Sequence, residues 1–181
     1  MILRRLAPAA LAAALSLLAA GPACAFFGTT ITPSGTVVTE SRDAKGFSGI
    51  GLSVPGALVV RQGEPASVSL EADDNLLPEI ETVVERGVLK VRFKRSVSIS
   101  GRSTIRLLVV TPKVESLSVS GSGDVLAEAI RSEALDISVA GSGDVRIAKL
   151  EATTLKVSIS GSGDVNAAGK AGSVSVSIAG S

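Results

Sequence analysis

The sequence predicts an all-β fold, a parallel β-helix or β-solenoid with rungs of about twenty residues and an N-terminal β-strand region. Three observations lead there. A nine-residue phrase recurs almost unchanged as LSVSGSGDV (117–125), ISVAGSGDV (137–145) and VSISGSGDV (157–165). From Phe47 onward apolar and polar residues alternate in short runs, the period of half-buried strands. The one stretch that admits a helical turn, DDNLLPEIETVV, contains Pro78, which holds it to a short turn.

Residues 1–25, MILRRLAPAALAAALSLLAAGPACA, place Arg4 and Arg5 before an Ala/Leu-rich core and small residues at Ala23 and Ala25. This is the pattern of a bacterial secretory signal peptide. Its core is short for a membrane span, and no later stretch reaches the roughly 18 apolar residues a span needs. Cleavage after Ala25 would remove the single cysteine, Cys24, together with both arginines. Lys+Arg would fall from 18 to 16 against 17 acids, and the net charge from +1 to −1. Lipid attachment at Cys24 is disfavoured, because no long or branched apolar residue stands three positions before it. The expected mature chain is exported, free of disulfides and of any membrane span. Its balanced charge gives no pull toward nucleic acid or an anionic membrane.

Residues 26–46, FFGTTITPSGTVVTESRDAKG, show no sustained period and read as a lead segment or linker. A single domain is expected over 47–181. Ile50, Leu52 and Val54 open it with strand alternation, and ASVSLEA and GVLKVRF continue the same signal. The cluster VRFKR (91–95) interleaves charge with apolar residues, which fits a half-buried edge strand with solvated charges better than an anion site.

The repeat follows. Steps of twenty link Gly101, Gly121, Gly141 and Gly161, and Gly180 falls one residue short. VSISGRSTI (97–105) thus reads as a degenerate first copy and VSIAGS (176–181) as an incomplete fifth. Alternation points Leu117, Val119 and Val125 inward, with Ile137, Val139, Val145, Val157, Ile159 and Val165 as their equivalents. Ser118, Ser138 and Ser158 point outward. One copy cannot bury enough apolar surface to fold alone; stacked copies share a core. The last copy stops at Ser181 with no polar capping unit, which suggests either a truncated chain or end-to-end self-association of two copies.

Gly121, Gly141 and Gly161, with Gly123, Gly143 and Gly163, sit where the alternation expects inward side chains, so each pair is expected to turn a corner. Asp124, Asp144 and Asp164 would accept hydrogen bonds from nearby backbone N–H groups there. Three functional alternatives compete. Calcium-binding β-rolls use Gly/Asp repeats, but as GGxGxD every nine residues. Stacked carboxylates about 5 Å apart resemble the acid pair of a retaining glycosidase, yet the chain has no Trp or Tyr to hold a sugar. The GxGD signature of intramembrane aspartyl proteases needs membrane helices. With no His, and no Cys after cleavage, the sequence offers no catalytic triad, no thiol nucleophile and no conventional zinc site. No catalytic, cofactor or metal residue is assigned.

Phe47, Ile50 and Leu52, then LVVRQGEPASVSLEADDNLLPEIETVVERGVLKVRF, then LLVVTPKVESLSVSGSGDV with its further copies, together resemble the head GIN domain family of putative auto-transporter adhesins. The resemblance spans about residues 47–181. It implies an all-β solenoid head and attachment at a cell surface, and it carries over no catalytic residue. The expected function is an exported, non-enzymatic binding module for a polymer or protein of the cell envelope, located in the periplasm, at the surface or outside. The alternatives are a polysaccharide hydrolase or lyase on the same scaffold, and a structural module without a ligand.

Overall fold

The computed structural model describes residues 28–180. The expected signal peptide lies outside the described residues. The chain is all-β: β1 (Thr29–Ile31), β2 (Val37–Arg42), β3 (Gly49–Ser53), β4 (Ala57–Gln62), β5 (Ser67–Asp73), β6 (Ile80–Glu85), β7 (Val88–Phe93), β8 (Val97–Ile99), β9 (Ile105–Thr111), β10 (Ser116–Gly121), β11 (Asp124–Ala127), β12 (Ile130–Gly141), β13 (Val145–Gly161) and β14 (Val165–Ala179). One 3-10 turn, Leu77–Glu79, occupies the stretch where Pro78 permitted only a turn. Among the described residues no helix is long and apolar enough to cross a membrane.

β10, β12, β13 and β14 pair in parallel. Leu117 lies beside Ile137 and Val119 beside Val139; Ile137 lies beside Val157 and Leu135 beside Leu155. β14 continues the stack with Val157 beside Val176, after a register shift between Ile147 and Leu150 that absorbs the residue missing from the last copy. Parallel pairing puts like side chains in line about 4.8 Å apart. The resulting apolar columns are the core: Leu117, Ile137, Val119, Val139, Val125 and Val145 are all 1% exposed or less.

Below the first GSGD the structure departs from the sequence expectation. β10 rests on β3, with Ile50 beside Leu117 and Leu52 beside Val119, and β11 rests on β4, with Leu58 beside Val125. The supposed first copy, 97–105, is not the neighbouring layer. Its strand β8 instead pairs with β1 in a separate two-stranded sheet. The physical reason is visible one layer further down, where β3 lies on β7 and β4 on β9. These two strands flank residues 94–104, and β8 leaves the stack between them.

Two further corrections concern strands. β7 is not an edge, because β6 pairs with its outer side; Val91 is wholly buried, and Arg92 and Lys90 are neutralised by β6 carboxylates, Glu81 at 2.6 Å and Glu85 at 2.6 Å respectively. The segment read as a lead or linker contains β1 and β2, and β2 pairs antiparallel with β5 along Val37–Arg42. Asp73 anchors this region. Its buried carboxylate accepts N–H bonds from Gly35 at 2.9 Å and Thr104 at 3.0 Å.

Candidate binding surface

The GSGD segments lie one above another. At each, the chain bends at the serine, Ser122, Ser142 and Ser162, between two consecutive strand directions. Gly121, Gly141 and Gly161 take positive φ of 100°, 125° and 130°. A Cβ on Gly141 would run into the backbone of Gly121, and one on Gly161 into that of Gly141. The inward assignment holds for only one glycine of each pair. Gly123, Gly143 and Gly163 are buried, and a Cβ on Gly143 would come within 2.7 Å of Val119 Cγ1; Gly121 itself is exposed.

The aspartates form a connected column. The Asp144 N–H donates to Asp124 Oδ1 at 3.1 Å, and the Asp164 N–H donates to Asp144 Oδ1 at 3.1 Å. Main-chain bonds run alongside, from Val125 N–H to the Asp144 carbonyl at 2.7 Å and from Val145 N–H to the Asp164 carbonyl at 2.8 Å. The free oxygen of Asp144 accepts from Arg146 Nη2 at 2.7 Å. One oxygen of each of two carboxylates is thus committed to a backbone donor of the next layer. Among the described residues no group of three or more His, Cys, Asp or Glu is placed to hold a metal ion.

Two polar features face outward. Ser118, Ser138, Ser158 and Ser177 stand in one column through consecutive pairings of β10, β12, β13 and β14, so hydroxyls repeat about every 4.8 Å. Upstream on the same strands, an open groove of about 1050 Å³ is lined by Lys113, Arg131, Glu133, Lys149, Glu151 and Lys170. Arg131, Glu151 and Lys170 are register partners, a column of alternating charge. Arg131 pairs with Glu151 at 2.9 Å, whereas Lys149 and Lys170 have no carboxylate within salt-bridge reach among the described residues. Lys113 is held above the usual lysine range by its bond to Glu115. Glu115 is held below the usual carboxylate range by Lys113 and then by the Ser48 hydroxyl, 2.6 Å away.

A smaller cavity of about 330 Å³ shares Arg131, Lys149 and Glu151 with the groove and is headed by Gln62. Gln62 is a clip. Its amide nitrogen donates to the Pro112 and Arg131 carbonyls at 3.0 and 2.9 Å, and its oxygen accepts the Arg131 N–H at 2.7 Å. This groove was not expected from the sequence. The signal for it is charge recurring near the repeat length, at Arg131, Glu151 and Lys170, outside the GSGD phrase.

Solved structures with similar folds include a putative adhesin from Bacteroides fragilis, with TM-score 0.75 and 24% identity over 83% of this chain and 79% of that one. A putative lipid binding protein from Parabacteroides distasonis gives TM-score 0.70 and 19% identity over 84% and 74%. A putative adhesin from Parabacteroides merdae gives 0.61 and 13% over 83% and 81%. At these identities the likeness is one of fold. No curated protein matches the chain in sequence. The family model described as "Putative auto-transporter adhesin, head GIN domain" matches residues 46–181, most of the chain, and the protein belongs to that family.

Proposed function

We propose that this protein is an exported, non-enzymatic binding module of the cell envelope, built as a β-solenoid with GSGD corners, that holds a polar polymer along its serine column and the adjoining groove. The observation that carries the proposal is the in-register column Ser118, Ser138, Ser158 and Ser177. Hydroxyls both donate and accept, so such a ladder makes one weak hydrogen bond per layer with a ligand that itself repeats. Linked contacts then add as intramolecular events, and modest individual bonds yield useful avidity. Membership of a family described as adhesins supports the same reading. The parallel pairing and common register of β10, β12, β13 and β14 support the solenoid, and the stacked positive-φ glycines support the corners.

The test is a panel of immobilised envelope polysaccharides and proteins, probed with the protein and with Ser138→Ala/Ser158→Ala. Binding to one class, weakened at least tenfold by the double change, is the expected result. Flat arrays would favour a structural module without a ligand. Release of reducing ends or unsaturated products, abolished by Asp144→Asn, would replace the binding reading with a carbohydrate-active enzyme.

A further inference from the structure

Arg131, Lys149 and Glu151 line both the groove and the smaller cavity, so the two spaces meet across them. Two cations share one carboxylate at that junction. Glu151 is taken by Arg131, through Nε at 2.9 Å and Nη2 at 3.5 Å, and Lys149 has no carboxylate within salt-bridge reach among the described residues. The stack supplies it with none. Lys149 precedes Leu150 as Ala129 precedes Ile130 in the layer below and as Ala168 precedes Gly169 in the layer above. The same bend therefore carries alanine on either side of the lysine, and one positive charge stands uncompensated.

An exposed lysine on a bend is by itself ordinary; the guanidinium beside it is not. Arg131 is held from behind, because Gln62 accepts its N–H at 2.7 Å and donates to its carbonyl at 2.9 Å. Glu151 fixes the Nε–Nη2 edge of the side chain, and Nη1 has no partner among the described residues. A planar fork already set in place loses little freedom when its open edge takes an anion. Lys113, elsewhere in the lining, is engaged by Glu115. The space also bears on the size of the ligand: about 1050 Å³ lies at the upper end of ligand pockets, roughly 300–1,000 Å³, which suits a short run of sugar units better than a single ion. Glu133 and Glu151 in the same lining repel a densely charged polymer and favour one with a single, spaced charge per unit.

We propose that this junction seats a carboxylate of an acidic polysaccharide, between the Lys149 ammonium and the Nη1 edge of Arg131, with the adjoining sugar units lying along the groove. The assignment rests on the reading of the protein as a polymer-binding module and names the charge of the polymer. None of the three residues at the junction lies on β14.

Polygalacturonate and its fully methyl-esterified form have one backbone and differ in the carboxylate charge, so comparing them isolates that charge. The expected result is binding of the acid at least tenfold tighter than of the ester, weakening as salt is added. Lys149→Glu should abolish the preference with the thermal midpoint unaltered, since the side chain is exposed. Lys45→Glu makes the same change of net charge at another exposed lysine, outside both cavities, and should leave the preference intact. Equal binding of acid and ester, or a preference indifferent to Lys149→Glu, would overturn the proposal. So would tighter binding of polyphosphate than of polygalacturonate, which would make the ligand a phosphate polymer. Binding of neither form would overturn it as well, and the polymer-binding reading would then stand or fall separately on the response of the glycan panel to Ser138→Ala/Ser158→Ala.

Discussion

Adding one methyl group at Gly141 and, separately, at Gly121 distinguishes backbone strain from crowding in the stacked bends. Both residues have positive φ, 125° and 100°, so alanine at either incurs strain of about 1–2 kcal/mol. They differ in what the new Cβ meets. At Gly121 there is nothing within 4 Å, whereas at Gly141 the methyl would overlap the Gly121 carbonyl and lie 3.0 Å from its Cα. Backbone cannot rotate away as a side chain can, and overpacking of this kind costs about 1–3 kcal/mol more. Gly121→Ala should therefore destabilise by about 1–2 kcal/mol and Gly141→Ala by about 2–5 kcal/mol. For a chain of this size those losses lower the thermal midpoint by roughly 2–8 °C and roughly 4–20 °C respectively. In urea, with a slope of about 2 kcal/mol per molar, the midpoint of Gly141→Ala should fall below that of Gly121→Ala by roughly 1 M. Equal midpoints would refute the argument, because strain alone would then account for both and the close approach of successive layers would contribute nothing.

Asp144→Asn should shift stability by less than about 1 kcal/mol, since the amide oxygen can still accept the Asp164 N–H and only the exposed pair with Arg146 is lost. Asp144→Ala should cost about 1 kcal/mol more in the same urea titration, through loss of that acceptor; parity of the two variants would remove the hydrogen-bonded column as a source of stability. Acid should weaken the fold through Glu85 and Glu115, each held below the ordinary carboxylate range, the first chiefly by Lys90 and the second chiefly by Lys113. A depressed folded-state pKa contributes stability above the unfolded value, about pH 4.5, and loses it as pH falls through the folded value. Thermal midpoints measured from pH 7 to pH 3 should drop below about pH 4.5, less steeply in Glu115→Gln, and parallel curves would count against the assignment.

The legible part of this fold is the part that repeats. Leu117, Ile137 and Val157 could be placed beside one another from the sequence because parallel stacking converts a fixed spacing into register. The layer beneath was not legible for the same reason. Ile50 lies beside Leu117 and Leu58 beside Val125, each at an offset unrelated to the twenty-residue repeat, and the GSGD phrase has no counterpart in GLSVPG. β2 was missed because Val37–Glu40 are exposed throughout, leaving no alternation to detect; its place is set by main-chain bonding to β5. The interior position of β7 was hidden by its charges, which read as solvated but are matched by Glu81 and Glu85 one strand away. The groove was not legible because a cavity forms between elements, and the charges that line it lie outside the repeated phrase.

The same regularity bears on what the aspartates can do. A carboxylate pair that shares acid and base roles needs unlike environments, one favouring the protonated form and one the charged form. Asp124 and Asp144 instead each accept the backbone N–H of the next aspartate at 3.1 Å, the same bond copied at the repeat interval, and they differ in that Asp144 also pairs with Arg146 at 2.7 Å. These bonds tie each aspartate to the next and help to fix the spacing of everything attached to the same strands. The proposed binding role draws on that fixed spacing, because hydroxyls held about 4.8 Å apart would match a ligand that carries its own repeat. A scaffold that copies one bend thereby copies the spacing of its hydroxyls, which is what the proposed recognition of a repeating partner requires.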